Sequence, residues 1–180
     1  MKDVAQISTS YARNDPYACD SPYILQCLEY WHGLKGERFA PAWQDFEWKM
    51  LPAKIIRYCG VVDVKTNPMD FVYRFWGTAH ATVHGVEMTG KSVMDIGSIS
   101  ESRSVFDQYR ETLEAKTPQL FTNSITSGQG QNPMEETSLR LPFSDGGETV
   151  NHLFAYSDIS QHMKKLEEAF NAEIADSFAG

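Results

Sequence analysis

No stretch of this 180-residue chain approaches the run of about 20 apolar residues that a membrane-spanning helix needs. The first twenty residues, MKDVAQISTSYARNDPYACD, lack the apolar core of a secretory signal. The expectation is a cytoplasmic protein with no membrane span. Basic residues are outnumbered, 16 Lys and Arg against 24 Asp and Glu, for a formal charge of −8. No local basic stripe offsets this, so phosphate backbones are repelled and nucleic acid is not an expected partner. Cysteine is scarce too. Cys19, Cys27 and Cys59 form no C-x-x-C pair and read as free thiols in a reducing compartment. There is no internal repeat, P-loop, G-x-G-x-x-G, G-x-S-x-G or kinase signature, and the chain is not expected to be an enzyme. Its length suits one domain that buries roughly 70% of its unfolded surface, enough to fold without disulfides or metal.

What is present reads as an α+β order. Residues 1–20 carry no period and read as a flexible arm. Ser21-Pro22 starts a helix in which Ile24, Leu25, Leu28 and Trp31 recur at helical spacing, and Gly33 and Gly36 end it. Residues 39–52 hold a short helical turn near 45–49. The β-branched stretch 55–63 and Phe71–Trp76 are two strands around an Asn67-Pro68 turn. Gly77-Thr78 opens a short helix that Gly85 closes. Ser98-Ile99-Ser100-Glu101 is a capping box, and the helix behind it sets Val105, Phe106, Tyr109 and Leu113 on one face. Strands follow over 119–126, 135–143 and 149–157, the last two joined at Asp145-Gly146-Gly147. From Asp158 a final amphipathic helix over 159–180 places Ile159, Met163, Leu166, Phe170 and Ile174 near heptad spacing. Five strands with helices grouped between the second and third favour an α+β layer fold over a parallel βαβ sheet.

Several short pieces carry a family resemblance. They are Leu28-x-Tyr30-Trp31-x-x-Leu34-Lys35-Gly36, the run from Asp70 to Thr78, His84-Gly85, Met88-Thr89-Gly90-Lys91-Ser92 and Asp158-Ile159-Ser160. In this order they resemble a bacterial PAS subfamily with an R-F-W-G-T and a later T-G-K-S. The chain departs from that pattern at Trp43, where relatives carry an arginine. The resemblance implies a PAS fold: a five-stranded antiparallel sheet with helices on one face, flanked by N-terminal and C-terminal helices, and a chamber between helices and sheet. The PAS domain would span 21–158.

By resemblance, the residue just before the first helical connector faces the chamber. That residue is Trp76, and strand alternation then brings Arg74 inward with it. The short helix aims His80 and His84 at the same space. By resemblance Tyr156 faces the ligand, and Phe154 and His152 share its parity. Ser138 and Arg140 point inward from the fourth strand. Arg74 has two readings. It clamps a carboxylate or phosphate of a ligand, or it pairs with an acidic residue of the protein such as Asp63, Asp70 or Asp95.

The cofactor is not identifiable from the residues. His80 and His84 are spaced like metal ligands but lack a third partner, so zinc is disfavoured. Haem is disfavoured in favour of a structural histidine. Flavin photochemistry is rejected, because no cysteine sits in an Asn-Cys-Arg motif. The expected function is a sensory or adaptor domain in bacterial signal transduction, with a small-molecule ligand, a signalling protein partner and homodimer contacts through a terminal helix. No effector segment is expected after the core. The alternative is a small cone-shaped isomerase or dehydratase with a pocket Asp or His as base, for which His80 or His152 could serve.

Overall fold

A computed structural model describes residues 8–126, 134–160, 163, 164 and 168. Pro22 at the first helical position starts α1 (Pro22–Lys35), and Gly36, at φ 54°, ends it. Ile24, Cys27, Leu28 and Trp31 form its buried face at steps of three and four. The indole of Trp31 donates a 2.7 Å hydrogen bond to the Pro142 carbonyl, which fixes α1 on the sheet.

Pro52 leads into a one-turn helix, α2 (Ala53–Ile56), so the second strand starts at Cys59 rather than at Ile55. Strands β2 (Cys59–Thr66) and β3 (Met69–Trp76) form the expected hairpin. Helices α3 (Thr78–His84) and α4 (Ile99–Ala115) follow. Ser98 caps α4 by accepting from the Glu101 backbone N–H at 3.2 Å, as the capping box predicts. The chain then returns through β4 (Gln119–Thr126), β5 (Met134–Phe143) and β6 (His152–Asp158).

Every strand pair is antiparallel, and with β1 (Ser8–Asn14) at one edge the order across the sheet is β1-β4-β5-β6-β2-β3. The first strand, β1, comes from the segment read as a flexible arm. It pairs along its whole length with β4, and Tyr11 packs edge-on against Phe121 at 5.5 Å. The Tyr11 hydroxyl also donates to Glu111 on α4 at 2.7 Å. The arm reading is therefore corrected for residues 8–14: backbone pairing with an otherwise open edge orders a segment of little apolar content. Without β1, the sheet is the five-stranded one expected, with the middle helices inserted between its second and third strands. The fold is α+β and PAS-like.

The sheet is buried on both faces. Against one face lie α1 and residues 39–56, where Ile24, Leu28 and Trp31 meet Val61, Leu139, Leu141, Phe154 and Tyr156. Trp43 and Phe46 stack at 4.8 Å and cover Phe143 and Phe154. On the other face, α3, α4 and the turn Val93–Asp95 cover Val62, Phe71, Tyr73, Leu153 and Ala155. Of the C-terminal stretch, Ser160, Met163, Lys164 and Glu168 are helical. Leu166, Phe170 and Ile174, which complete the expected seam, lie outside the described residues, as do residues 128–133.

Candidate functional site

Between α3, α4 and the inner sheet face lies a chamber of about 40 Å³. That is room for about three water molecules at the usual 10–15 Å³ each. Its walls come from six strands and two helices, and they combine aromatic and aliphatic side chains with a set of polar ones. Helix α4 contributes Glu101, Ser104 and Tyr109, and α3 contributes His80 and His84. The sheet contributes Thr9, Tyr73, Asn123, Glu136, Arg140 and Ser157.

A chain of hydrogen bonds organises the floor. Arg140 Nη2 donates to Gln108 Oε1 at 3.1 Å, and the Gln108 amide donates to Asn123 Oδ1. Asn123 donates in turn to Glu136 at 3.0 Å and to Ser138 at 3.2 Å. The Ser138 and Ser157 hydroxyls are 2.9 Å apart. This network explains why α4 buries Ser104, Gln108 and Thr112, whereas Val105, Phe106 and Leu113 are only half-buried. The apolar face expected of this helix is displaced by a polar stripe in which Ser104 and Thr112 bond to Gln108 within α4, and Gln108 bonds to Asn123 and Arg140 on the sheet.

Two groups carry the electrostatics. Arg140 is 4% exposed, and its guanidinium lies 4.6 Å over the Tyr109 ring. Among the described residues it has no carboxylate partner within 4.0 Å. His80 is 6% exposed and stacked on Trp76 at 4.7 Å. Its Nε2 lies 3.0 Å from the Tyr58 carbonyl, which can only accept, so Nε2 carries the proton. Burial, and then the nearby His84, push its pKa down to about 3. The neutral ring therefore presents Nδ1 as a bare acceptor. At the rim, His84 Nδ1 meets Glu101 at 3.1 Å. Burial raises the Glu136 carboxyl above the usual range, against the pull of His84 and Arg140.

Buried polar atoms normally have partners. Among the described residues four buried side-chain atoms have none: Thr9 Oγ1, His80 Nδ1, Arg140 Nε and Ser144 Oγ. The first three belong to residues that line this one chamber.

Of the residues singled out from the sequence, Trp76, His80, His84 and Arg140 line the chamber, and Ser138 lies beneath it in the hydrogen-bond chain. Arg74 does not. Val61 pairs with Phe75 and Val62 with Tyr73, which makes Arg74 the extra residue of a β-bulge. The bulge reverses the alternation, so Phe71, Tyr73 and Trp76 face the helices. Arg74 is 45% exposed and makes a forked pair with Asp63, at 2.7 and 3.2 Å. Its ligand-clamp reading falls, and the protein-acid reading describes it.

His152, Phe154 and Tyr156 are buried, but on the α1 face. In β6 the chamber side belongs to Ala155 and Ser157. His152 bridges Asp63 at 2.8 Å and Asp145 at 2.9 Å. Burial opposes ionisation of Asp63, yet hydrogen bonds from Arg74 and His152 hold it below the ordinary carboxylate range. This cluster ties β2, β3, β6 and the Asp145 turn together outside the chamber. The isomerase reading loses its two named histidines thereby: His152 is on the wrong face, and a histidine held near 3 is a poor general base at neutral pH.

Sequence reasoning missed Thr9, Tyr73, Glu101, Gln108, Tyr109, Asn123 and Glu136 as site residues. A usable signal existed in α4, where Ser104, Gln108 and Thr112 repeat every fourth residue beside Tyr109. Among the described residues no group of three or more His, Cys, Asp or Glu could hold a metal ion. No helix among them is long and apolar enough to cross a membrane.

No family model matches this chain. No curated protein matches it. Among solved structures it aligns with an RNA-binding light-oxygen-voltage receptor at 12% identity and a TM-score of 0.34. That alignment covers 96% of this chain and 45% of the receptor chain, so the protein spans less than half of the receptor's length.

Proposed function

We propose that this protein is a cytoplasmic sensory or adaptor domain that binds a small molecule in the chamber beneath α3 and α4. Occupancy shifts how these helices pack on the sheet, and that shift changes affinity for a signalling protein partner. The observation that carries this reading is the convergence of Thr9, His80 and Arg140, each with an unpartnered buried polar atom, on one chamber. Leaving such groups unsatisfied costs about 1–3 kcal/mol apiece. A chamber built only for stability would carry apolar side chains at these positions. The terminal helix that begins after Asp158 is the proposed contact between two copies.

Native mass spectrometry of freshly purified full-length protein tests this directly. The expected spectrum shows an adduct that leaves on denaturation, together with a dimer. The identified ligand, added at a hundredfold excess over its Kd, adds about 2.7 kcal/mol of stability. For a chain of this size that raises Tm by about 5–10 °C. A bare chain, together with no thermal shift across a broad set of small metabolites, overturns the reading.

A further inference from the structure

The chamber's chemistry narrows what it takes, on the premise that it is a ligand site. Arg140 offers an unused N–H beside a full positive charge. Its close partners among the described residues are one amide oxygen and one ring face, and neither is an anion. A buried guanidinium without a counter-ion is costly, and a carboxylate is the planar partner that fits its fork. His80 offers the opposite: a lone pair at Nδ1 that requires a donor. Thr9 Oγ1 serves either way. The acids already in the lining do not forbid an anion. Glu101 meets His84 at the rim, and Glu136 accepts a hydrogen bond from Asn123 at 3.0 Å. A cavity near 40 Å³ admits an acid of about four to six non-hydrogen atoms.

We infer that the ligand is a small hydroxycarboxylate, its carboxylate held by Arg140 and its hydroxyl donating to His80 Nδ1. The ligand then supplies the anion that Arg140 lacks and the donor that His80 lacks. The Trp76, Tyr73 and Tyr109 rings close the apolar remainder of the wall.

The test is a titration of the full chain followed by its backbone amide resonances, with four probes: glycolate, acetate, glycolamide and nitrate. Glycolate is expected to bind best. Acetate, which lacks the hydroxyl, is expected to bind about tenfold more weakly, the worth of one hydrogen bond. Glycolamide lacks the charge and is expected to lose at least a hundredfold. Nitrate separates a general oxyanion site from a carboxylate site, and binding as tight as glycolate overturns the carboxylate assignment. In Arg140→Met the glycolate response is expected to vanish while the chain keeps a dispersed amide spectrum and a cooperative urea transition, because only the anion-binding group has been removed. Retained glycolate binding in that variant, or glycolamide binding as well as glycolate, overturns the inference. A neutral adduct in the native spectrum overturns it too, but leaves the ligand-binding reading standing. An empty chamber in both experiments overturns both.

Discussion

Replacing Gly77 by alanine is expected to cost about 3 kcal/mol, the upper end of over-packing penalties. For a chain of 180 residues this lowers Tm by about 6–12 °C. Gly77 has an ordinary backbone conformation, with φ −65°. Its constraint is proximity. A Cβ at this position would collide with the Arg57 carbonyl and sit 2.7 Å from the Cys59 carbonyl oxygen. Both neighbours are backbone and cannot swing aside. The closeness exists because the Gly77 N–H donates to Cys59 at 2.9 Å and the Ala79 N–H to Arg57 at 3.0 Å. These bonds clamp the start of α3 to the entry of β2 and set where His80 and His84 meet the chamber. Gly85 is the comparison. It has φ 67° and open space around its missing Cβ, so alanine there pays only for the left-handed backbone, about 1 kcal/mol. Thermal melts of the two variants should differ severalfold in their loss. Equal losses would contradict this account of how α3 is docked.

Between pH 6.5 and 4 the wild-type chain is expected to lose stability that a His80→Gln variant keeps. In the unfolded chain His80 takes up its proton near 6.5, whereas the folded protein holds it neutral down to about 3. Over that window the unfolded state binds the extra proton. His80 therefore contributes stability that is fully present above pH 6.5 and drains away as pH falls toward 3. One proton gives a slope of about 1.4 kcal/mol per pH unit. Glutamine places an N–H close to the position of Nε2 and can still donate to the Tyr58 carbonyl, but it does not titrate. Urea unfolding at pH 7, 6, 5 and 4 reads the two slopes. The wild-type curve should fall more steeply by about one proton. Parallel curves would show that burial does not exclude the proton from His80, and with it the bare acceptor at the chamber wall would be lost.

How far the sequence reaches is seen in particular residues. The Ser21-Pro22 start, the Gly36 and Gly85 stops, the Ser98 cap and the Asp145-Gly146-Gly147 turn all rest on local backbone chemistry, and each is found where the sequence places it. The order of helices and strands along the chain follows from these signals. Side-chain direction did not follow so easily. Alternation assumes an unbroken ladder, and the bulge at Arg74 is created by pairing with β2, which no local pattern encodes. In β6 six of the seven residues are buried, so the strand has no polar face to reveal which parity meets the helices. Ser138 and Arg140 lie on the chamber side of β5 as alternation predicts, whereas Tyr156 on the adjacent β6 faces α1. Strand β1 was illegible for a different reason. Its order comes from a long-range ladder with β4 and from contacts such as Tyr11 with Glu111, not from its own propensity.

The chamber gathers residues from all six strands and from α3 and α4, positions as far apart as Thr9 and Ser157. A site assembled over such separations leaves only scattered single polar residues in the sequence. Each has an ordinary explanation taken alone. Together, the guanidinium without a counter-ion and the histidine without a donor acquire one explanation, a molecule between the helices and the sheet that completes both.

A crystal structure of the full chain purified from cells, at a resolution that separates water from organic density, tests this most directly. It should show a small molecule inside the chamber, bonded to Arg140 Nε and His80 Nδ1. A chamber holding only ordered water on those two atoms, or closed by the side chains of α4, would contradict it.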